Sequence, residues 1–99
     1  MLMILGTFRL PAAKMDAARP AMTRMVEASR AEEGCVEYVY AQDLFDPGLI
    51  HVTERWVDQD AIDRHFAASH MAEWHGAWTD LGIGDRNLRL YDVGDSRPL

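Results

Sequence analysis

The sequence comprises 99 residues, 48% of them hydrophobic, and carries a formal net charge of −6. This length suits a single domain, and the apolar content excludes an intrinsically disordered chain. No apolar run reaches the roughly 18 residues of a membrane-spanning helix. The ten lysines and arginines are scattered along the chain rather than clustered. Nucleic acids and acidic membrane surfaces are therefore not expected partners.

Cys35 is the only cysteine, so no disulfide can form within the chain. A chain with one unpaired cysteine fits a reducing compartment, and we expect a cytoplasmic protein. The N-terminal stretch MLMILGTFRL has no positive charge ahead of its apolar residues. This pattern indicates a strand rather than a signal peptide.

The first third of the chain predicts a strand followed by a helix. Residues 2–10 alternate between two largely apolar faces, and Gly6 leaves room for a close neighbour in the middle of the strand. Apolar residues at helical spacing predict a helix over 20–33. Pro20 fits the first turn of a helix, so we expect 12–19 to be a lead-in turn or a bent start.

The middle third predicts an antiparallel hairpin. Residues 35–43 and 49–57 alternate in polarity, and the segment Asp46-Pro47-Gly48 between them has strong turn-forming chemistry. In the second strand, one predicted face carries an unusual mixture of aliphatic, acidic and aromatic residues, namely Ile50, Val52, Glu54 and Trp56.

The last third predicts two short helices and a final strand. Asp58 or Asp60 can cap the first helix, and Ser69 is expected to cap a second helix that runs to about residue 80. Residues 86–93 alternate as a strand. We expect 1–94 to form a single domain and 95–99 to be a loose tail.

The predicted order is strand, helix, strand, strand, helix pair, strand. This order is typical of a ferredoxin-like α+β sandwich, in which helices cover one face of a four-stranded antiparallel sheet. The other face is too apolar to remain in water, and a second copy of the chain is its simplest cover. The sequence therefore predicts a homodimer through the sheet face, with contacts from Met3, Leu5, Val39, Ala41 and Val57.

The stretch RHFAASHMAEWHGAW, residues 64–78, contains three of the four histidines. They are spaced five residues apart, so on one straight helix they would point in different directions. Metal-binding pairs on a helix need a spacing of three or four, and no carboxylate stands at such spacing between two of these histidines. We therefore expect no metal site and assign Trp74 and Trp78 to packing.

His65 and Glu54 stand out because each occupies an apolar stripe that is predicted to be buried. A buried imidazole needs hydrogen-bond partners, and a buried carboxylate is costly unless it is paired. We expect the two to pair between sheet and helix. The pair could be a purely structural contact or a functional site, since perturbed pairs of this kind occur in both.

The segment EEGCVEYVYAQDLFDPGLIHVTERWVDQDAIDRHFAASHM resembles the antibiotic biosynthesis monooxygenase family. The matching positions are Glu33-Gly34-Cys35, Tyr38, Asp46-Pro47, Glu54-x-Trp56, Asp58, Ala61 and His65-x-x-x-Ser69-His70-Met71. The resemblance implies a dimeric αβ barrel with a pocket between sheet and helices in each subunit. It also implies oxidation of small quinols or phenols by O₂, without metal, flavin or haem, so we expect no cofactor.

The resemblance suggests roles for individual residues. His65 suits a base or hydrogen-bond partner, and Glu54 suits a group that orients it. The substrate would contact pocket walls formed by Tyr38, Trp56 and Phe66. His70 would contact it at the mouth of the pocket. Val52 stands where other members place an asparagine, which argues against a polyketide-type anthrone substrate.

Three other functions remain open at this level. A ligand-binding or stress-associated dimer without turnover would use the same pocket. A small-molecule isomerase would use the same imidazole for proton transfer. A haem-degrading monooxygenase would need His75 as iron ligand, but His65 stands where those relatives have a tryptophan, and Gly6, Thr7 and Phe8 stand where they have an asparagine.

Overall fold

The computed structural model describes residues 1–99 and contains one four-stranded sheet with helices on one face. The elements are β1 (Leu2–Arg9), a 3-10 turn (Ala12–Lys14), α1 (Met15–Arg30), β2 (Cys35–Gln42), β3 (Leu49–Trp56), α2 (Gln59–Ala67), α3 (Ser69–Gly76), α4 (Trp78–Leu81) and β4 (Gly84–Asp92). The strands are antiparallel in the order β2-β3-β1-β4. The ferredoxin-like α+β class predicted from the element order is confirmed.

One row of side chains crosses the whole sheet beneath the helices. Tyr38 is paired with Glu54, Glu54 with Ile4, and Ile4 with Leu90. The first three are buried, whereas Leu90 on the edge strand is 51% exposed. The carboxylate of Glu54 therefore lies in the middle of an otherwise apolar and aromatic row.

Gly6 is required by the close approach of β1 and β4. It pairs with Leu88, and a Cβ at position 6 would lie 1.9 Å from the carbonyl oxygen of Asn87. The close neighbour predicted for this glycine is thus the backbone of the adjacent strand.

The first helix begins earlier than the sequence predicted. α1 starts at Met15, so Pro20 lies inside it rather than in its first turn. Proline has no N–H to donate to Asp16, yet the helix continues through the gap, because the apolar face on either side of it is packed on the sheet. After Arg30 the chain turns, and Gly34 adopts a φ of +87° before β2.

The second helix begins as predicted, but the third does not. Asp58 Oδ1 accepts a hydrogen bond from the Ala61 N–H at 2.9 Å and caps α2. Ser69 is the first residue of α3 rather than its cap: Ala68 occupies the N-cap position, and no side chain caps this helix. The region predicted as a single helix to about residue 80 is divided at Ala77 into α3 and α4.

The sheet face opposite the helices is only partly covered. It includes Met3, Thr53 and Val39, which are half-buried, and Leu5, which is 36% exposed. After Asp92 the chain has no regular secondary structure, although the Val93 N–H still bonds to the Met1 carbonyl at 3.0 Å. No helix has both the length and the apolar character needed to cross a lipid bilayer.

Candidate functional site

Glu32 joins two of the histidines that the sequence places far apart. It lies in the turn between α1 and β2, whereas His65 belongs to α2 and His70 to α3. Its Oε1 lies 2.7 Å from His65 Nδ1 and 2.6 Å from His70 Nε2. Since only an N–H can donate to a carboxylate oxygen, both facing nitrogens act as donors.

His65 is fully buried among aromatic rings. Its ring centroid lies 4.7 Å from that of Trp56 and 5.4 Å from that of Tyr38. Burial lowers the pKa of His65 below its usual value, while the Glu32 carboxylate acts in the opposite direction. With Nδ1–H donated to Glu32, Nε2 of the neutral ring is left as an acceptor, and it has no hydrogen-bond partner.

Glu54 does not pair with His65, so the predicted contact between them is wrong. Its Oε1 instead accepts the indole N–H of Trp56, two residues along the same strand face, at 3.0 Å. Burial raises the pKa of Glu54 to about 7, against the lowering effects of the Trp56 hydrogen bond and the nearby Arg86 charge. The site therefore contains two separate pairs, Glu32 with His65 and Glu54 with Trp56.

Glu32 is the site residue that sequence reasoning missed. Strand alternation identified Glu54 as a buried carboxylate, but Glu32 lies in a turn, where alternation carries no information. The contact with His65 spans 33 positions in the chain. The available signal was the Glu32-Glu33-Gly34 segment at the start of the family-like region, where two adjacent carboxylates offered two candidate partners for the histidines.

Glu32, His65 and His70 also form the one group of side chains that could offer a metal ion three donor atoms, all within 4.8 Å of one another. The five-residue spacing of the histidines did not demand this convergence, although a helix break near Ser69 left it possible for two of them. The distances of 2.6 and 2.7 Å to a single oxygen are those of hydrogen bonds. Around a tetrahedral Zn²⁺ the donors would lie roughly 3.3 Å apart. The geometry therefore corresponds to a hydrogen-bond network.

A cleft of about 210 Å³ opens between α2 and β4. Its lining is mostly apolar and comprises Ile4, Gln59, Ile62, Phe66, Arg86, Leu88, Arg89 and Leu90. Phe66 is 45% exposed and connects the cleft with the buried rings, because its ring centroid lies 5.3 Å from that of His65.

The other residues expected around a pocket lie in different surroundings. Tyr38 and Trp56 are buried in the core and do not line the cleft. His70 is partly exposed and is held by Glu32. His75 packs its ring edge-on against Trp78, with centroids 4.6 Å apart, and belongs to neither pair.

Comparison with known proteins agrees with this architecture. A Deinococcus radiodurans protein, provisionally named an antibiotic biosynthesis monooxygenase, superimposes with a TM-score of 0.90 and 26% identity, covering 100% of this chain and 98% of its own. PA3566 from Pseudomonas aeruginosa shares the fold, with a TM-score of 0.77 and 24% identity over 97% of this chain and 94% of its own.

Sequence comparison extends the likeness beyond the fold. The uncharacterised Synechocystis protein sll1783 is 26% identical over 74 residues, which cover 75% of this chain; the chain spans about half, 50%, of that relative's length. A family model described as antibiotic biosynthesis monooxygenase matches residues 1–77, which include all four members of the two polar pairs. The chain therefore belongs to the antibiotic biosynthesis monooxygenase family.

Proposed function

We propose that this protein is a monooxygenase that oxidises a small quinol or phenolic aromatic with O₂, using electrons from the substrate. The observation that carries the proposal is His65, a buried imidazole with Nδ1 held by Glu32 and Nε2 without a partner. A fixed imidazole with a free lone pair can accept the hydroxyl proton of a phenol. Membership of the family supports the reaction type.

The reaction balances without an external reductant. Loss of the hydroxyl proton gives a phenolate, which is electron-rich enough to reduce O₂. One oxygen atom enters the ring as a new carbonyl group. The other oxygen atom leaves as water, whose two hydrogens come from the hydroxyl group and from one ring carbon of the substrate. The substrate thereby supplies all four electrons that reduce O₂ and becomes a quinone.

Each polar pair has a part in this proposal. Glu32 fixes the tautomer of His65, so that Nε2 is the basic nitrogen. Glu54, with a pKa raised to about 7, can exchange a proton near neutral pH and is our second candidate for proton transfer. Phe66 forms a wall of the cleft and connects it with the His65 ring, because the two ring centroids lie 5.3 Å apart.

The remaining assigned residues would support these groups. Tyr38 and Trp56 both pack against the imidazole, and Trp56 also donates to Glu54. His70, on the second lone pair of Glu32, would be the polar group nearest the surface. These contacts restrict the movement of His65, which a positioned base requires.

The test is O₂ uptake by chelator-treated protein in the presence of a panel of hydroquinones and phenols. His65→Ala should reduce the rate by about 100-fold or more, the usual contribution of a general base. His75→Ala is the matched control, because His75 is an exposed histidine of the helix layer that packs against Trp78 and belongs to neither polar pair. Absence of O₂ uptake by the unmodified protein across the panel would contradict the proposal.

We further propose that the protein works as a homodimer in the cytoplasm. Support for the dimer comes from the sheet face opposite the helices, where apolar residues such as Leu5 remain partly exposed. Support for the compartment comes from Cys35, the single cysteine, which suits reducing surroundings.

A further inference from the structure

We propose that the cleft between α2 and β4 binds an aromatic compound that carries a carboxylate, and that Arg86 is the residue that binds this carboxylate. This inference rests on the proposed function, since it specifies the class of phenol that the protein would oxidise. It is carried by the position of Arg86, its lack of an ionic partner and the composition of the cleft lining.

The cleft differs in charge from the rest of the molecule. The chain has a formal net charge of −6, yet the cleft is lined by two arginines and no carboxylate. A narrow apolar recess with charge of one sign concentrates ligands of the opposite sign. An anion is therefore favoured here although the protein as a whole repels anions.

Arg86 is the better placed of the two arginines. Arg86 lies on the same face of β4 as Leu88 and Leu90, which line the cleft, whereas Arg89 lies on the opposite face of that strand. The guanidinium of Arg86 lies 6.0 Å from the ring centroid of Trp78, on the helix side of the sheet. A cation over an indole ring is held in place while its N–H groups remain free to bind a ligand.

No group of the protein neutralises Arg86. The ion pairs of the chain engage other arginines, namely Arg9, Arg19, Arg24 and Arg55. The Arg86 charge lowers the pKa of Glu54, but this carboxyl group is buried and bonded to Trp56. Arg86 also acts on His75, whose pKa is lowered by burial and by this positive charge, and on Tyr40, whose pKa is raised by burial and lowered to a smaller extent by Arg86. The five N–H donors of the guanidinium are thus available to an external anion.

The remaining lining specifies the body of the ligand. Ile4, Ile62, Phe66 and Leu88 provide apolar walls, and a volume of about 210 Å³ accommodates one aromatic ring with small substituents. A flat ring between these apolar walls, with a carboxylate at the arginine, matches both features. Hydroxybenzoates and dihydroxybenzoates combine them with the phenolic hydroxyl that the proposed reaction needs.

The experiment compares matched ligands in the absence of O₂. Binding of 4-hydroxybenzoate and 2,5-dihydroxybenzoate is measured by titration calorimetry, each beside its carboxamide, which has the same ring and hydroxyl groups but no charge. We expect each acid to bind roughly tenfold more tightly than its amide, as a charge-assisted hydrogen bond allows. Arg86→Met should abolish this preference, and Arg86→Lys should retain part of it.

Arg19→Met is the control for the change in net charge, since Arg19 lies on α1, outside the cleft, and should leave the preference unchanged. Failure of the acids to bind, equal binding of acid and amide, or an equal effect of Arg19→Met would each overturn the inference. Because O₂ is absent, binding is scored separately from turnover. Binding that depends on Arg86 without O₂ uptake would refute only the proposed reaction.

Discussion

The carboxyl group of Glu54 has a pKa raised from 4.5 to about 7 because it is buried. A group whose pKa is raised on folding contributes stability that is fully present below the pKa of the unfolded chain and is lost as the pH rises through the folded value. Ionisation of Glu54 should therefore weaken the fold progressively between about pH 4.5 and 7.

Glu54→Gln isolates this effect, because glutamine can still accept the Trp56 N–H but cannot ionise. As the pH rises through this range, the variant should gain unfolding free energy relative to the unmodified protein, by up to about 1.4 kcal/mol per pH unit. Urea denaturation at several pH values measures it. The lowered pKa of His65 makes stability rise with pH below the ordinary pKa of histidine. Because His65 is present in both proteins, its contribution cancels in the difference. Parallel stability curves would contradict the prediction.

The site was only partly predictable at the scale of residues. Burial of His65 and Glu54 follows from periodicity, because each stands where an apolar side chain would otherwise be expected. Their partners do not follow, because hydrogen bonds depend on distances across the fold. Glu32 lies 33 positions before His65, in a turn whose placement depends on how α1 packs against β2.

Among the secondary-structure elements, the pairing of β1 with β4 depends most on a single position. Gly6→Ala would place a Cβ at 1.9 Å from the Asn87 carbonyl oxygen, which is backbone and cannot move aside without breaking the strand pairing. We expect a loss of at least about 3 kcal/mol, as for other severe steric conflicts in a core. Chemical denaturation measures the loss.

Gly76→Ala is the matched control for this substitution. Gly76 ends α3, and a Cβ there would meet no atom within 4 Å. The same change should therefore leave stability unaltered or raise it by up to about 1 kcal/mol, because alanine favours the helix. Equal effects of the two substitutions would show that β1 and β4 do not approach as closely as described.

The elements were more predictable than the site, and their errors have local causes. The strands follow from alternation and lie within two residues of their predicted bounds. The start of α1 was placed too late because Pro20 is a common first-turn residue, and packing of the flanking turns maintains the helix around it. Ser69 resembles a helix cap in sequence, but the kink at Ala68 places the cap one residue earlier.

The whole molecule has two chemically distinct sheet faces. The helix-covered face holds the core and both polar pairs, and the opposite face exposes apolar side chains beside the cross-strand ion pair of Arg55 and Glu37. A chain of this size buries only a modest core, so covering the second face would add substantially to its stability. This asymmetry is our physical reason for proposing a dimer.

Leu5→Lys tests the dimer, because Leu5 lies on the uncovered face of β1, between Thr53 of β3 and Arg89 of β4. A lysine at position 5 would place its positive charge beside that of Arg89 and would remove apolar contact area from the interface. We expect the unmodified protein to have twice the 11.2 kDa chain mass in light scattering after gel filtration, and the variant to dissociate at concentrations at least about tenfold higher.

Ala72→Lys provides the comparison, since Ala72 is exposed on α3, in the helix layer on the other side of the molecule. It makes the same change in charge and should leave the mass of the dimer unaltered. Circular dichroism of both variants separates dissociation from unfolding, because Leu5 is already partly exposed in the single chain and its replacement should leave the fold intact. A monomeric unmodified protein, or a Leu5→Lys variant that dimerises as tightly, would mean that the sheet face is not the interface.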